Sequence, residues 1–160
     1  MAIRMVLFDL DGTLLPMDMD KFTGGYFKLL AKKAAPYGYE PQALVKAIWH
    51  GTAAMVQNDG RCPNEEAFWN DFASIFGEQA LKDKPLFNDF YANKFQQAQQ
   101  FCGFNHKAAE TVYGIRDAGF RVGLTTNPLF PAVATETLTC GLSFIMLEIP
   151  AKFRNVGIAE

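Results

Sequence analysis

The chain has 160 residues, enough for one domain or a small domain with an insert. Its make-up, 49% hydrophobic and 20% charged, is that of a globular protein. A net charge of −2 gives no reason to expect nucleic acid or an anionic membrane as a partner, and no apolar run approaches the length of a membrane span.

The first predicted element is a strand. Met5-Val6-Leu7-Phe8-Asp9-Leu10-Asp11-Gly12-Thr13-Leu14 is an apolar run that ends in two carboxylates, a glycine and a threonine. A short apolar run stopped by a turn signal reads as a buried parallel strand, covered on both faces. Its carboxyl end is where open α/β sheets place their ligand sites. Asp9 and Asp11, two positions apart, point to one side if the strand continues through them. Gly12 permits a tight turn and close approach of the backbone to a ligand, and Thr13 can bond back to the loop. One carboxylate can attack phosphorus while a second handles the leaving group's proton, and together they suit Mg²⁺, a hard ion bound by oxygen. The run is too short for a signal peptide and leads directly into the acid motif. A solvated Asp-x-Asp-Gly turn after an ordinary strand is the plain structural alternative.

These residues carry a resemblance. Asp9-Leu10-Asp11-Gly12-Thr13-Leu14 resembles the DxDGT(L/V) signature of the haloacid dehalogenase-like (HAD) hydrolases. The resemblance implies that Asp9 is the nucleophile of an aspartyl-phosphate pathway. It implies that Asp11 is the general acid/base, and that both residues take part in holding Mg²⁺, Asp11 through its backbone carbonyl. An acid at the second position favours phosphatases and phosphomutases over the dehalogenase branch.

From Pro16 to about residue 101 the pattern is helical. Asp18 and Asp20 lie in a linker and suit an N-cap or a solvated loop better than a metal site. Phe22, Tyr26, Leu29 and Leu30 make one helical stripe, stopped by Pro36 and Gly38, with Lys28, Lys32 and Lys33 facing away. Pro41 opens a second helix with Leu44, Ile48 and Met55 on one side. After the turn at Asn58-Asp59-Gly60, Asn64 is the expected cap of a third helix with the stripe Phe68, Phe72, Ile75 and Phe76, closed by Gly77. A fourth helix is expected from about Pro85, with Phe87, Tyr91 and Phe95 on one face, running on through the glutamines at 96–100. Sixteen of the 22 aromatic residues fall between Phe22 and Phe104, enough for a separate small core. A helical insert at this place also resembles the family's C1-type cap, which closes over the site and shapes substrate choice. Trp49 and His50 are the candidate substrate contacts in it, with packing as their plainer role.

The last third returns to strand–helix alternation. Asn105 can cap a helix carrying Ala108, Val112 and Ile115 and ended by Gly119; His106 at its start suits a surface or capping role. Phe120 to Thr125 reads as a second strand, running into Thr126-Asn127-Pro128 and a helix from about Leu129 to Thr139. Hydroxyl and backbone donors near a helix N-terminus can receive a phosphoryl oxygen, and the segment resembles the family's second motif. Thr126 takes that role, with Thr125 as the other choice, and Asn127 adds its N–H. Leu142 to Ile149 is apolar enough for a third strand. The family pattern then calls for a basic residue and an acidic pair. Lys152 is the one lysine after Lys107, in a poorly matching context, and Glu136, Glu148 and Glu160 are isolated.

The expected fold is therefore α/β: a partial Rossmann-like parallel sheet from 1–15 and 102–149, an inserted all-helical cap at 16–101, and an irregular tail at 150–160. The departure after the second motif leads us to expect an incomplete product, with residues from about Ser143 onward outside the ancestral frame and with the first strand left as a sheet edge. The expected activity is Mg²⁺-dependent hydrolysis of a small phosphorylated metabolite. Phosphomutase chemistry, an inactive fragment and a phospho-accepting receiver domain are the alternatives, the last set against it by the long helical interruption. Cys62, Cys102 and Cys140, widely spaced and without a CxxC pair, read as reduced, partly buried thiols in the cytoplasm.

Overall fold

The computed structural model describes residues 3–126, 131, 134 and 145–148. In chain order the described elements are β1 (Met5–Phe8), α1 (Met19–Ala34), α2 (Pro41–Gln57), α3 (Asn64–Phe76), the single turn α4 (Gln79–Lys82), α5 (Lys84–Asn93), a 3-10 segment (Phe95–Phe101), α6 (His106–Asp117), β2 (Arg121–Thr126) and β3 (Ile145–Glu148). The chain is mostly helical with a small parallel sheet, an α/β arrangement. It divides into two compact units at Gly25/Tyr26 and at Lys94/Phe95, inside the limits 16–101 expected for the insert.

In the sheet unit the order is β1-β2-β3, every pair parallel. Met5 to Phe8 stand beside Arg121 to Leu124, and Gly123 to Thr126 beside Ile145 to Glu148. α6 packs on β2; Ala108 and Val112 of the helix and Val122 and Leu124 of the strand are buried. Asn105 caps α6 through a bond from the Lys107 N–H at 3.1 Å. The first strand departs from expectation twice. It ends at Phe8, not at Leu10, because the chain turns over the next residues. It is also not covered on both faces: Leu7 is half-exposed and its neighbours are half-buried, since among the described residues β1 is the outer strand.

Asp18 starts α1 as an N-cap, accepting from the Lys21 N–H at 3.1 Å. Across the way into and out of the helical unit the chain pairs with itself: Met17 bridges Cys102 in antiparallel fashion, and the Gly103 N–H donates to the Pro16 carbonyl at 2.7 Å.

In the helical unit, α2 lies along α3. Glu40 caps α2 by accepting from the N–H groups of Gln42 and Ala43 at 3.0 and 2.7 Å. The core is aromatic. Phe72 is fully buried among the rings of Tyr39, Phe68, Trp69, Phe76 and Phe87, at centroid distances of 5.0–6.1 Å. Three details differ from the expected helices. Asn64 is the first residue of α3 and not its cap; its side chain accepts from the Asn58 amide at 3.0 Å. Trp69 is buried where Ile75 was expected, and Ile75 is 46% exposed. The fourth helix stops at Asn93 and continues as the 3-10 segment. His50, offered as a substrate contact, pairs through Nδ1 with Asp71, at 2.7–2.8 Å from both carboxylate oxygens, and so ties α2 to α3. Trp49 is half-exposed, its ring meeting Phe27 at 5.6 Å.

Candidate active site

Two parallel strands bring their carboxyl ends to one edge. Phe8, the last residue of β1, stands beside Leu124, so Asp9 follows at the level of Thr125 and Thr126, the end of β2. Such an edge, where strands stop and loops begin, is the usual ligand-binding place in open α/β sheets.

The loop after β1 is short and closed. The Leu15 and Thr13 N–H groups both donate to the Leu10 carbonyl, at 2.9 and 3.2 Å, and the Gly12 N–H donates to the Leu15 carbonyl at 2.9 Å. Gly12 has φ +77°, a left-handed conformation natural to glycine; no atom crowds it, so the demand is on backbone shape and not on space. Leu10, Leu14 and Leu15 are buried and anchor the loop from beneath. What remains on the outside is Asp9, Asp11, Gly12 and Thr13, all exposed. The two aspartates are held together by this turn and not by strand alternation, which ended at Phe8. They still feel each other: partial desolvation, and then the charge of Asp9, raise the Asp11 carboxyl above its ordinary pKa. A carboxyl that keeps its proton to higher pH suits a proton donor.

Of the other expected site residues, Thr125 is half-buried near the end of β2, and Thr126 is the last residue of that strand, beside Glu148 of β3. Asn127 and Lys152 lie outside the described residues, as do Cys140, nearly all of the expected helix at 129–139 and the tail at 150–160. Cys62 and Cys102 are each half-buried. Among the described residues no cation pairs with Asp9 or Asp11, and no cluster of three or more His, Cys, Asp or Glu side chains gathers to hold a metal. The two aspartates are nonetheless a donor set of the kind Mg²⁺ accepts, since that ion commonly takes one or two carboxylates and fills its octahedron with water and phosphate oxygens. An open cavity of about 650 Å³ in the same unit is lined in part by Pro16, Met17, Lys21, Phe101 and Cys102. None of its walls belongs to the Asp9–Thr13 loop, and Lys21 within it is paired with Asp18 at 3.3 Å.

Two features leave no sign in the sequence. The Leu15 carbonyl closes the loop, and a backbone acceptor leaves no mark in residue type. The pairing of Pro16 and Met17 with Cys102 and Gly103 fixes where the loop's far end goes, and it joins residues too distant in the chain for any local pattern to report.

Comparisons with models of protein families, with curated proteins and with solved structures give no match. No helix among the described residues is long and apolar enough to cross a membrane.

Proposed function

We propose that this chain is a HAD-like phosphomonoesterase, built on a partial Rossmann-like sheet with a helical insert in the part of a C1-type cap. The observation that carries this reading is the placing of Asp9 and Asp11 together on a tight turn at the carboxyl end of a parallel strand.

In this mechanism an Asp9 oxygen attacks the phosphorus of a small phosphorylated metabolite. The P–O bond to the leaving group breaks as Asp11 gives its proton to the departing alcohol. Asp11, now a carboxylate, takes a proton from water. The water oxygen attacks the phosphorus of the aspartyl-phosphate, releasing inorganic phosphate and restoring Asp9. Gly12 keeps backbone close to the phosphoryl group, and Thr126, with Asn127 beyond it, donates to the non-bridging oxygens; Lys152 is assigned the balancing cation. Stabilisation of those oxygens is where most catalysis of phosphoryl transfer arises. Asp9 and Asp11 would hold Mg²⁺, which supplies positive charge to offset the two carboxylates and the phosphate. A cytoplasmic location belongs to the same reading.

The test is release of p-nitrophenol from p-nitrophenyl phosphate, with and without Mg²⁺, by the chain and by Asp9→Asn. The expected result is Mg²⁺-dependent turnover that Asp9→Asn abolishes. No turnover from a chain shown to be folded by circular dichroism sinks the proposal, and a need for a bisphosphate activator would move the reaction to phosphomutase.

A further inference from the structure

The chain has two Asp-Gly steps and no Asn-Gly step: Asp11–Gly12 in the loop after β1, and Asp59–Gly60 in the turn from α2 to α3. An Asp-Gly step can rearrange its own backbone. The glycine nitrogen attacks the aspartate side-chain carbon and loses its proton. The carboxyl gives up an oxygen, one water departs, and a succinimide ring closes. Water then reopens the ring. Attack at the former side-chain carbonyl restores aspartate. Attack at the former backbone carbonyl leaves isoaspartate, with the chain now running through the side chain. One water leaves and one returns, so no other reactant is needed. Glycine favours the closure because it has no Cβ to shield its nitrogen or limit its backbone.

At Asp59 both reacting groups are already engaged. Asp59, Gly60 and Arg61 are all exposed, and Gly60 has φ +89°. Asp59 Oδ1 accepts from the Arg61 backbone N–H at 3.2 Å, and Oδ2 accepts from Nε and Nη2 of the Arg61 side chain, both at 2.6 Å. The carboxyl is thereby turned forward to the residue after Gly60, and ring closure has to release it from all three bonds. The Gly60 N–H is engaged as well, donating to Asn58 Oδ1 at 3.2 Å. Asn58 is fixed from its other side, its amide donating to the Cys62 carbonyl at 2.8 Å and to Asn64 Oδ1 at 3.0 Å. The bonds from Arg61 also hold the Asp59 carboxyl below its ordinary pKa. A carboxylate is a poorer target for a nitrogen than a carboxylic acid, and a poorer source of the departing water.

We propose that Asp59–Gly60 is a self-modification site, an isoaspartate-forming step that Arg61 and Asn58 hold in check in the folded chain. The check is partial. The Arg61 side chain is 89% exposed, and pairs so exposed shift an equilibrium by no more than about fivefold. Isoaspartate lengthens the backbone inside this turn and frees an α-carboxylate. The bonds to Arg61 and Asn58 that slowed the step then no longer fit. The site stands whether or not Asp9 is a nucleophile.

The experiment ages the full chain and Arg61→Ala at neutral pH, folded and in guanidinium chloride. Isoaspartate is measured peptide by peptide, by electron-transfer fragmentation and by methylation of its α-carboxylate with an isoaspartyl methyltransferase. Folded Arg61→Ala should gain isoaspartate at position 59 about two- to fivefold faster than the unchanged chain. In guanidinium chloride the two should gain it at one rate, faster than either folded chain. Asp59→Glu should remove the signal from that peptide, because the longer side chain closes its ring poorly. Equal rates in the two folded chains would overturn the guard. The same ratio in guanidinium chloride would overturn it too, by assigning the effect to local sequence and not to the fold. So would a parallel rise at Asp11–Gly12, which would mean that Arg61→Ala loosens the whole chain. No isoaspartate at position 59 in folded Arg61→Ala would overturn the site itself.

Discussion

Asp11 binds its proton more readily in the folded chain than an ordinary aspartate does, and this sets two expectations at one residue. A raised carboxyl contributes stability that is fully present below the ordinary value of 3.8 and is lost as the pH rises through the folded value. At neutral pH Asp11 therefore weakens the fold. Asp11→Asn should raise the melting temperature at pH 7, the gain vanishing as the pH falls below about 3.8; an equal gain at all pH values would refute the assigned cause. The same substitution should cut phosphatase turnover by about 10²–10⁴-fold, the usual worth of a positioned acid/base, measured with p-nitrophenyl phosphate. The Asp-x-Asp-Gly turn was legible in the sequence because its demands are local: a strand that stops, two acids and a glycine at φ +77°. How the two acids meet was not, because strand alternation gives way to a turn at Asp9. The choice between Thr125 and Thr126 was not legible either, since it depends on strand register and on side-chain direction.

At the scale of elements, the aromatic core of the helical unit yields a paired prediction. Phe72 is fully buried and in contact with five rings, so Phe72→Ala should cost about 3–5 kcal/mol, by lost transfer energy and the cavity left behind. Ile75→Ala, three residues on and 46% exposed, should stay within about 0.5 kcal/mol. Denaturant unfolding of both variants checks this; similar losses would mean the helix packs by the stripe its sequence suggests. That stripe explains why the helices were largely readable and where reading failed. Phe22, Tyr26, Leu44, Ile48 and Phe72 are buried as their spacing implies. Trp69 and Ile75 are both apolar and lie on opposite margins of the α3 stripe, so only the position of the neighbours decides which is covered. Asn64 has an ordinary capping residue type, but the Asn58 turn already claims its side-chain oxygen.

At the scale of the molecule, the sheet's strand content was readable and its exposure largely followed from its order. β1 is the outer strand among the described residues, and Leu7 on it is half-exposed. An apolar edge strand invites pairing with other chains, and lysine is a common guard against it. Leu7→Lys should reduce concentration-dependent association, read by light scattering, while leaving the melting temperature within a few degrees; unchanged association would show that this edge is not the sticky surface. The aromatic clustering between Phe22 and Phe104 raises the expectation of a separate small core, and the chain has its own two-unit division. The limits of that division within α1 and after Lys94 were not legible, because a continuous helix hides a boundary that only three-dimensional neighbours define.

The register of β1 has a consequence for how the chain is made. Each residue of Met5–Phe8 pairs with one 116 positions further along. At about 5–20 residues per second, a ribosome needs on the order of ten seconds to deliver β2 after β1 has been synthesised. During that interval the aromatic residues from Tyr39 to Phe87 can close into their own core, while Met-Val-Leu-Phe waits without its strand partner. The chain is therefore born with an apolar strand that waits unpaired, and the yield of native protein should respond to chaperones that hold extended apolar segments during synthesis.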